Sequence, residues 1–305
     1  MNSALGSMAA VYWDRAKKTI GRTRGGRSSG QADTSPHGTP HPTETSATAQ
    51  TQYALEHTRY LWDALDQAYE RFLPDRTVTC IVCAHADKPG GFEIHRDECI
   101  FGGGKLERYI CPSCGCIFGP QKYLDLSEAA VDADYRFLYS YYSESDSSET
   151  EIRTFHYLGP RHDGVYLDWG CGGVWSNTVS TLRQSGWDVW GYEPSAPVSG
   201  NCVVRSRAEI SATFDGIFSN NVIEHFRQPV ETFRDFHSLL ADGGLMAHSS
   251  PCFEKSYTFT RFHTIFLTGR SPFVLAERTG FEVLDVFPNN GTVTALFRKK
   301  NLAGD

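Results

Sequence analysis

The sequence lacks the features that would place it in a membrane or direct it for export. No stretch approaches the roughly 18 consecutive apolar residues that a bilayer-spanning helix needs. The N-terminus has neither the basic start nor the apolar run of a secretory signal. We therefore expect a cytoplasmic protein without a membrane span.

An excess of positive charge is also missing. The 305 residues carry a formal net charge of −7 at pH 7. A protein that works on nucleic acid normally presents a basic face, so this balance disfavours a nucleic-acid partner. With 40% hydrophobic residues, the chain is long enough for one large core and a small satellite domain.

Large apolar residues are scarce in residues 1–50, which are rich in Ser, Thr, Gly, Pro and Ala. Such a segment buries too little surface to offset the entropy of ordering it, so we predict a disordered tail. In residues 51–76, Leu61, Leu65 and Phe72 recur at helical spacing. This spacing predicts an amphipathic helix that packs on a later domain.

The nine cysteines do not follow the pattern of a secreted disulfide framework. Two C-x-x-C pairs lie in residues 77–120, and this spacing directs four thiolates at one tetrahedral ion. We predict a small zinc ribbon whose ion is structural. A redox pair is the alternative, and Cys99 or Cys116 could compete as ligands. The four predicted ligands are Cys80, Cys83, Cys111 and Cys114.

Residues 121–151 are predicted to form a helical linker, in which "SESDSSETE" is an exposed polar stretch. From residue 152 to 300, short β-like runs alternate with helical ones. This order predicts a mainly parallel sheet that is covered on both faces. The last two runs are joined by "PNNG" and should form an antiparallel hairpin. The runs are 164–168, 188–193, 202–204, 214–219, 244–249, 281–287 and 292–298.

One strand-to-helix turn carries an acid and several glycines, in "VYLDWGCGG". A dinucleotide fingerprint that starts at Gly170 would need a third glycine where the chain has Trp175. The Gly-Lys-Ser/Thr of a phosphate loop is missing as well. Asp168 followed by Gly-x-Gly suits a ligand with an ammonium group and a carboxylate, which backbone groups near Gly172 can bond.

A second acid, Glu193, lies 21 residues beyond Gly172, at the end of the next β-like run. In a parallel sheet this is the position from which an acid bonds the hydroxyls of a ribose. Together with Asp168, it indicates a ligand that joins a nucleoside to an amino acid. S-adenosylmethionine is such a molecule.

Four ordered motifs over residues 152–300 resemble the class I S-adenosylmethionine-dependent methyltransferases. They are "VYLDWGCGG", "VWGYEP", "FDGIFSNNVIEHF" and "LLADGGLMAHSSP". The resemblance implies an α/β fold: a Rossmann-like, seven-stranded, mostly parallel sheet with a C-terminal antiparallel hairpin. Here the zinc ribbon and the disordered tail would precede that sheet.

The resemblance also implies roles for particular residues. The methionine end of the cofactor would lie against Asp168, Gly170, Cys171 and Gly172. Glu193 would hold the ribose, while Ser219 and Asn220 would face the cofactor from the tip of the fourth strand. The family's third motif glycine is replaced here by Val174, and Gly173 would substitute by a shift of one position.

His225 is the candidate catalytic residue, because it follows the fourth strand where the acceptor should enter. It would act as a general base on an acceptor hydroxyl, or else only shape the pocket. His248 is an alternative base. Adjacent residues rarely chelate an ion alone, so the sequence does not favour a divalent-ion site at Glu224 and His225.

The preferred function is methyl transfer to a hydroxyl of a small molecule or of a glycan or nucleotide-sugar precursor. The first alternative is an RNA methyltransferase that docks through its ribbon. Residues 77–120 carry four basic residues against five acidic ones, which is not a basic module. The second alternative is a methyltransferase-like binding protein without activity.

Overall fold

A computed structural model describes residues 44–143, 145–289 and 291–301. Residues 1–43 of the predicted tail therefore lie outside the described chain. Helix α1 spans Glu44–Phe72, so it begins seven residues before the start that the sequence predicted. A 3₁₀ turn, Leu73–Asp75, follows it with Pro74 inside, since proline lacks the N–H that a continuing helix needs. No helix in these described ranges is long and apolar enough to cross a bilayer.

The cysteine-rich segment forms short antiparallel strands. The first two pair with each other, and the other three belong to a four-stranded sheet in the order β11-β5-β4-β3. Its outer strand β11, Ile265–Phe266, comes from the C-terminal half of the chain and pairs with β5. The ribbon is therefore built into the larger domain. Its own strands are β1 Val78–Thr79, β2 Ala86–Asp87, β3 Glu93–Glu98, β4 Lys105–Ile110 and β5 Ile117–Phe118.

Three helices connect the ribbon to the large sheet. Helix α2 spans Gln121–Leu124 and α3 spans Glu128–Tyr139, with Ser127 as its N-cap accepting from the backbone N–H of Ala130. Helix α4, Ser148–His156, packs directly against the sheet. The end of the predicted linker is thus a layer of the large domain.

The large domain contains a seven-stranded sheet in the order β12-β13-β10-β9-β6-β7-β8. Strands β12 and β13 form an antiparallel hairpin, β13 also pairs antiparallel with β10, and the remaining pairs are parallel. The predicted fold class is confirmed. The strands are β6 Val165–Trp169, β7 Asp188–Tyr192, β8 Val203–Val204, β9 Phe214–Asn220, β10 Leu240–Ser250, β12 Phe281–Asn289 and β13 Thr292–Lys299.

Helices cover both faces of this sheet. Phe155 of α4 packs on one face together with α5, Asn177–Gln184. On the other face, Phe233 lies on α6, Pro229–Leu239, beside α7, Ser271–Arg278. A third cluster joins helix α1 and the linker helices to the segment that follows β10, through Trp62, Tyr123, Val131, Leu138 and Phe262.

Candidate active site

The glycine turn follows β6 and adopts left-handed backbone angles. Gly170, Gly172 and Gly173 have φ of 80°, 78° and 123°. A Cβ on Gly170 would lie 2.6 Å from the side chain of Val222, whereas a Cβ on Gly172 would meet nothing within 4 Å. Gly170 is thus required by packing, and Gly172 presents bare backbone to the cleft.

Asp168, at the end of β6, is fully buried, with 0% of its surface exposed. Among the described residues, neither of its carboxylate oxygens has a hydrogen-bond partner. Burial raises the pKa of Asp168 well above its usual value, and the neighbouring Glu151 and Glu193 add to this effect. Because an unpaired buried carboxyl destabilises the protein, the site favours a ligand that brings a cation or hydrogen-bond donors.

Glu151 is a third acid in this region, and the sequence analysis missed it. It lies on α4, is buried, and accepts a hydrogen bond from the hydroxyl of Thr178. Burial raises its pKa to about 7, and the charge of Asp146 contributes. The polar residues around it predict an exposed linker, and its burial differs from that expectation. Its four-residue spacing from Phe155 was the available signal for a buried helical face.

Glu193 follows β7 at the same edge of the sheet as Asp168, because Asp168 is in register with Gly191 of the neighbouring parallel strand. One carboxylate oxygen of Glu193 accepts the N–H of Gly172 at 3.2 Å. The other accepts from the N–H and the hydroxyl of Ser195, at 3.0 and 2.6 Å. A carboxylate has about four acceptor positions, so capacity remains for the hydroxyls of a ligand.

Asn220 ends β9, next to β6, and is buried with 6% of its surface exposed. In the described ranges, neither its amide nitrogen nor its amide oxygen has a partner. Asp168 and Asn220 are therefore two buried polar side chains, on adjacent strands, whose hydrogen-bonding capacity the protein itself does not use. A polar ligand in the cleft would satisfy both.

Two predicted cofactor residues direct their side chains elsewhere. Successive residues of a strand alternate between faces, so Ser219 points away from the side of Asn220. Its hydroxyl shares a hydrogen bond with Nδ1 of His248 at 2.8 Å, inside the core. The thiol of Cys171 lies 2.6 Å from where a Cβ on Gly191 would be, so it packs beneath β7. The hydroxyl of Ser219 is thus engaged in the core, and Cys171 would line the cofactor through its backbone; the roles of both residues stay predictions.

His225 lies in a 3₁₀ turn, Ile223–His225, just after β9. Its Nδ1 is 2.7 Å from the hydroxyl of Tyr135 and 3.1 Å from the carbonyl oxygen of Phe262. The ring of His263 is centred 5.0 Å away. His225 is half-buried.

His248 has a different environment. It is fully buried and its ring stacks on Phe236 at 5.4 Å. Burial lowers its pKa to about 3, so the ring is neutral at physiological pH. It is a core histidine, and its position does not support the alternative role as a base.

The segment that carries His263 is held by a buried arginine of the ribbon. Arg108, on β4, donates to the carbonyl oxygens of Thr258, Thr260 and His263 at 2.7, 2.6 and 3.1 Å. Burial lowers the pKa of Arg108 to about 10, which leaves it charged at neutral pH. The ribbon thus holds the segment that carries His263, next to His225.

The four predicted metal ligands form one cluster, with Sγ atoms within 4.8 Å of one another. The Sγ atoms of Cys80 and Cys114 are 3.8 Å apart, and those of Cys83 and Cys111 are 3.5 Å apart. A disulfide would need about 2.05 Å. Four sulfurs that each lie about 2.3 Å from a tetrahedral zinc are separated by about 3.8 Å, so the cluster fits this ion.

The two competing cysteines lie outside that cluster. Cys99 is buried, and its sulfur is 3.5 Å from a guanidinium nitrogen of Arg261. Cys116 is buried as well. Each C-x-x-C pair is closed by a backbone bond, from Ala84 N–H to Cys80 and from Gly115 N–H to Cys111. This local turn is what selects the cysteines at the predicted spacing.

Comparison with known proteins supports the same assignment. A family model described as a methyltransferase domain matches residues 149–286. No curated protein matches the chain. Among solved structures, a Burkholderia thailandensis 1,6-didemethyltoxoflavin N1-methyltransferase with bound S-adenosylhomocysteine is 16% identical, with a TM-score of 0.43. The alignment covers 68% of this chain and 100% of that protein's chain.

Two further structures are similar at a comparable level. A mitomycin 7-O-methyltransferase is 13% identical over 50% of this chain and 54% of its own, with a TM-score of 0.39. An S-adenosylmethionine-dependent methyltransferase from Mesorhizobium loti is 15% identical over 49% of this chain and 98% of its own, with a TM-score of 0.37. The family match, the seven-stranded sheet and the four ordered motifs agree: residues 149–286 form a methyltransferase domain that resembles the class I S-adenosylmethionine-dependent enzymes.

Proposed function

We propose that this protein transfers the methyl group to a hydroxyl of a small molecule or of a glycan or nucleotide-sugar precursor. The cofactor supplies a methyl group bonded to a sulfonium, which is a strong electrophile. The observation that carries the cofactor site is the pair of unpartnered buried side chains, Asp168 and Asn220, beside the open backbone of Gly172.

Each polar part of the cofactor has a complementary protein group in this arrangement. Asp168 and Glu151 offer negative charge to the ammonium of the methionine end, and the backbone near Gly172 offers donors and acceptors to its carboxylate. Glu193 offers acceptor positions to the ribose. Asn220 carries both a donor and an acceptor at the edge where cofactor and acceptor meet.

His225 is our candidate for the residue that takes the proton of the acceptor hydroxyl. In the tautomer with the proton on Nδ1, that nitrogen donates to the carbonyl oxygen of Phe262 and Nε2 carries the lone pair that would take the proton. A base at this position would help the oxygen to attack the methyl carbon.

The Cys₄ cluster is proposed to hold a structural Zn²⁺. Four thiolates leave no position for a reactive water, so the ion contributes to folding and not to the reaction. These thiols must stay reduced, and we therefore place the protein in the cytoplasm.

Several observations favour a small acceptor over RNA. The ribbon carries no excess of basic residues, and salt-dependent phosphate contacts would need one. The half-buried His225 and the aromatic ring of Tyr135 instead offer a compact polar and aromatic wall. Such a mixture is typical of sites for small molecules.

Calorimetry with S-adenosylmethionine tests the cofactor site. We expect Asp168→Ala and Glu193→Ala each to weaken binding by about tenfold or more, since each removes a partner of a charged or polar group. Asp163→Ala, which changes an exposed acid before β6, should leave the affinity unchanged. Unchanged affinity in both site variants would overturn the assignment, and no binding by the wild type would favour the non-catalytic alternative.

The acceptor class can be read from labelled cofactor incubated with cell extract and then fractionated by size. We expect the label in small molecules or glycan precursors. Label that appears in RNA would instead support the docking-ribbon alternative.

A further inference from the structure

A second group of metal-ligating side chains lies on the acceptor side, separate from the Cys₄ cluster. Glu224, His225 and His263 each place one ligand atom within 4.8 Å of the others. The first two belong to the turn after β9, and the third lies on the segment between β10 and β11. Sequence spacing did not favour this group, because its third member is 38 residues away.

The hydrogen bonds around the group fix which atoms are available. Nδ1 of His263 lies 2.9 Å from the carbonyl oxygen of Tyr257, and Nδ1 of His225 lies 3.1 Å from that of Phe262. A carbonyl only accepts, so the proton of His263 lies on Nδ1 and its lone pair on Nε2; the contact of His225 with Phe262 favours the same tautomer, in which the hydroxyl of Tyr135 is a second acceptor. This is the arrangement that neighbouring groups impose on histidines that bind metals.

The carboxylate is oriented in the same way. Glu224 is buried, with 1% of its surface exposed, and one of its oxygens accepts from the hydroxyl of Ser250 at 2.7 Å. Burial of a carboxylate is unfavourable unless it is paired with a cation or well hydrogen-bonded. A cation held between it and the two imidazoles would stabilise its ionised form further.

The backbone joins the two ligand-bearing segments. Thr264, next to His263, donates its N–H to the carbonyl oxygen of Glu224 at 2.7 Å. The hydroxyl of Thr264 donates to the carbonyl oxygen of Phe226 at 3.0 Å. Arg108 of the ribbon bonds the carbonyl of His263 itself. The three side chains are thus held together before any ligand binds.

The separations suit a small divalent ion. Ligand atoms at about 2.1 Å from an ion lie at most about 4.2 Å apart, so a pair at the upper limit of 4.8 Å would need to close by roughly half an ångström. Two imidazoles and one carboxylate leave the remaining coordination positions open, and this donor set is typical of divalent transition metals.

We propose that Glu224, His225 and His263 form a binding site for a divalent transition-metal cation. Its role rests on the proposed function: the ion takes the acceptor hydroxyl at an open position and favours loss of the hydroxyl proton to solvent. The oxygen forms the bond to the methyl carbon, and the carbon–sulfur bond breaks with its electron pair left on sulfur. His225 then acts by holding the ion, and a separate base is not required.

The test uses the full-length protein with its Cys₄ site already loaded with zinc. Mn²⁺ binding is followed by the loss of the electron paramagnetic resonance signal of the free ion, because Mn²⁺ prefers oxygen and nitrogen ligands to thiolates. Zinc content is measured before and after the titration. We expect one Mn²⁺ site, and an affinity at least about tenfold lower in Glu224→Gln and in His263→Asn. The matched control is Glu254→Gln, an exposed acid on the same segment.

A measurement on the wild type does not depend on how the variants fold. Pulsed spectra of the Mn²⁺ complex should show coupling to imidazole nitrogen. Absence of Mn²⁺ binding, absence of that coupling, or equal affinity in both site variants and the control would overturn the proposal. The affinity for S-adenosylmethionine is measured in parallel and tests the proposed function separately. If the protein binds Mn²⁺ but not S-adenosylmethionine, the proposed function is wrong and the metal site is not.

Discussion

The cleft has two sides that are built in different ways. On the cofactor side, Asp168, Glu193 and Asn220 lie at the ends of adjacent parallel strands within one stretch of the chain. On the acceptor side, Arg108 and Tyr135 come from the N-terminal half and meet the segment around His263. Local strand ends carry recognisable motifs, whereas a wall assembled from distant segments does not.

The two sides also differ in their electrostatics. The cofactor side brings together three carboxyl groups, and burial raises the pKa of both Asp168 and Glu151. The acceptor side holds a buried arginine bonded to carbonyl oxygens and two imidazoles. A cationic ligand is therefore stabilised on the first side, while the second presents lone pairs to a metal or a hydroxyl.

Removal of zinc should have the largest effect, and it should affect the acceptor side much more than the cofactor side. Structural zinc sites contribute about 10 kcal/mol or more of apparent binding free energy, so chelation should unfold the ribbon and release the segment around His263. We expect methyl transfer to be lost while S-adenosylmethionine still binds the strand ends. Zinc content, the thermal unfolding midpoint and calorimetry check this. An equal loss of cofactor affinity would show that the two sides are not independent.

Arg108→Leu should act on the acceptor side with a smaller effect. The change leaves three carbonyl oxygens without their donor, and we expect a loss of about 3 kcal/mol or more in the free energy of unfolding. Displacement of His263 should lower the rate of transfer by about 100-fold, with cofactor affinity close to that of the wild type.

The control for this substitution is Arg96→Leu on the neighbouring strand β3, where the guanidinium is exposed and pairs with Glu107. It should have little effect on stability or rate. If the two substitutions lowered stability and rate equally, the hydrogen bonds from Arg108 to the three carbonyl oxygens would not explain the effect.

On the cofactor side, Glu151 should make the free energy of unfolding depend on pH. The pKa of Glu151 is raised from its ordinary 4.5 to about 7, so the folded protein binds this proton more tightly than the unfolded chain does. Its contribution is present at low pH and is lost as pH rises from about 4.5 to about 7, by about 3 kcal/mol.

Denaturant titrations of the ligand-free protein across this pH range provide the measurement. The buried His248, whose pKa is lowered, changes stability in the opposite direction, so the contribution of Glu151 is read from the difference in stability between the wild type and Glu151→Gln. We expect this difference to change by about 3 kcal/mol over the range, and Glu149→Gln, an exposed acid on the same helix, to show no such change. Bound S-adenosylmethionine should reduce the change, because its ammonium favours the ionised carboxyl. A difference that stays constant with pH would contradict the prediction.

The smallest expected effect comes from the glycine turn. Gly172→Ala places a Cβ in the open cleft and strains a backbone at φ 78°, at a cost of about 1–2 kcal/mol. We expect about tenfold weaker cofactor binding by calorimetry. Gly159→Ala introduces a similar strain at φ 60°, also in open space but away from this turn, and should change stability alone. Equal cofactor affinity in the two variants would argue against close contact at Gly172.

The sequence predicted most of the fold, since all seven runs of the large sheet and its C-terminal hairpin are present. Periodicity and turn residues act locally, and so do the two C-x-x-C turns. The burial of Glu151 was missed because it depends on packing against the sheet. The direction of the Ser219 side chain toward His248 was not predicted, because a motif identifies a position on a strand but not the face of its side chain.

Apart from His225, the residues of the proposed acceptor side could not be predicted. Nothing near Arg108 in the sequence indicates that it will bond carbonyl oxygens some 150 residues later. The same is true of His263, whose partners Glu224 and His225 belong to another segment. Such contacts arise only once the tertiary structure brings the segments together.

The pairing of β11 with β5 has a consequence for how the chain is made. The ribbon lies early in the sequence, yet the outer strand of its sheet is Ile265–Phe266. During synthesis the edge of β5 stays open until those residues leave the ribosome, and an open edge is prone to pair with other chains. A nascent chain that stalls before Ile265 would therefore be exposed to aggregation, and the ribbon cannot be moved to another protein as a self-sufficient unit.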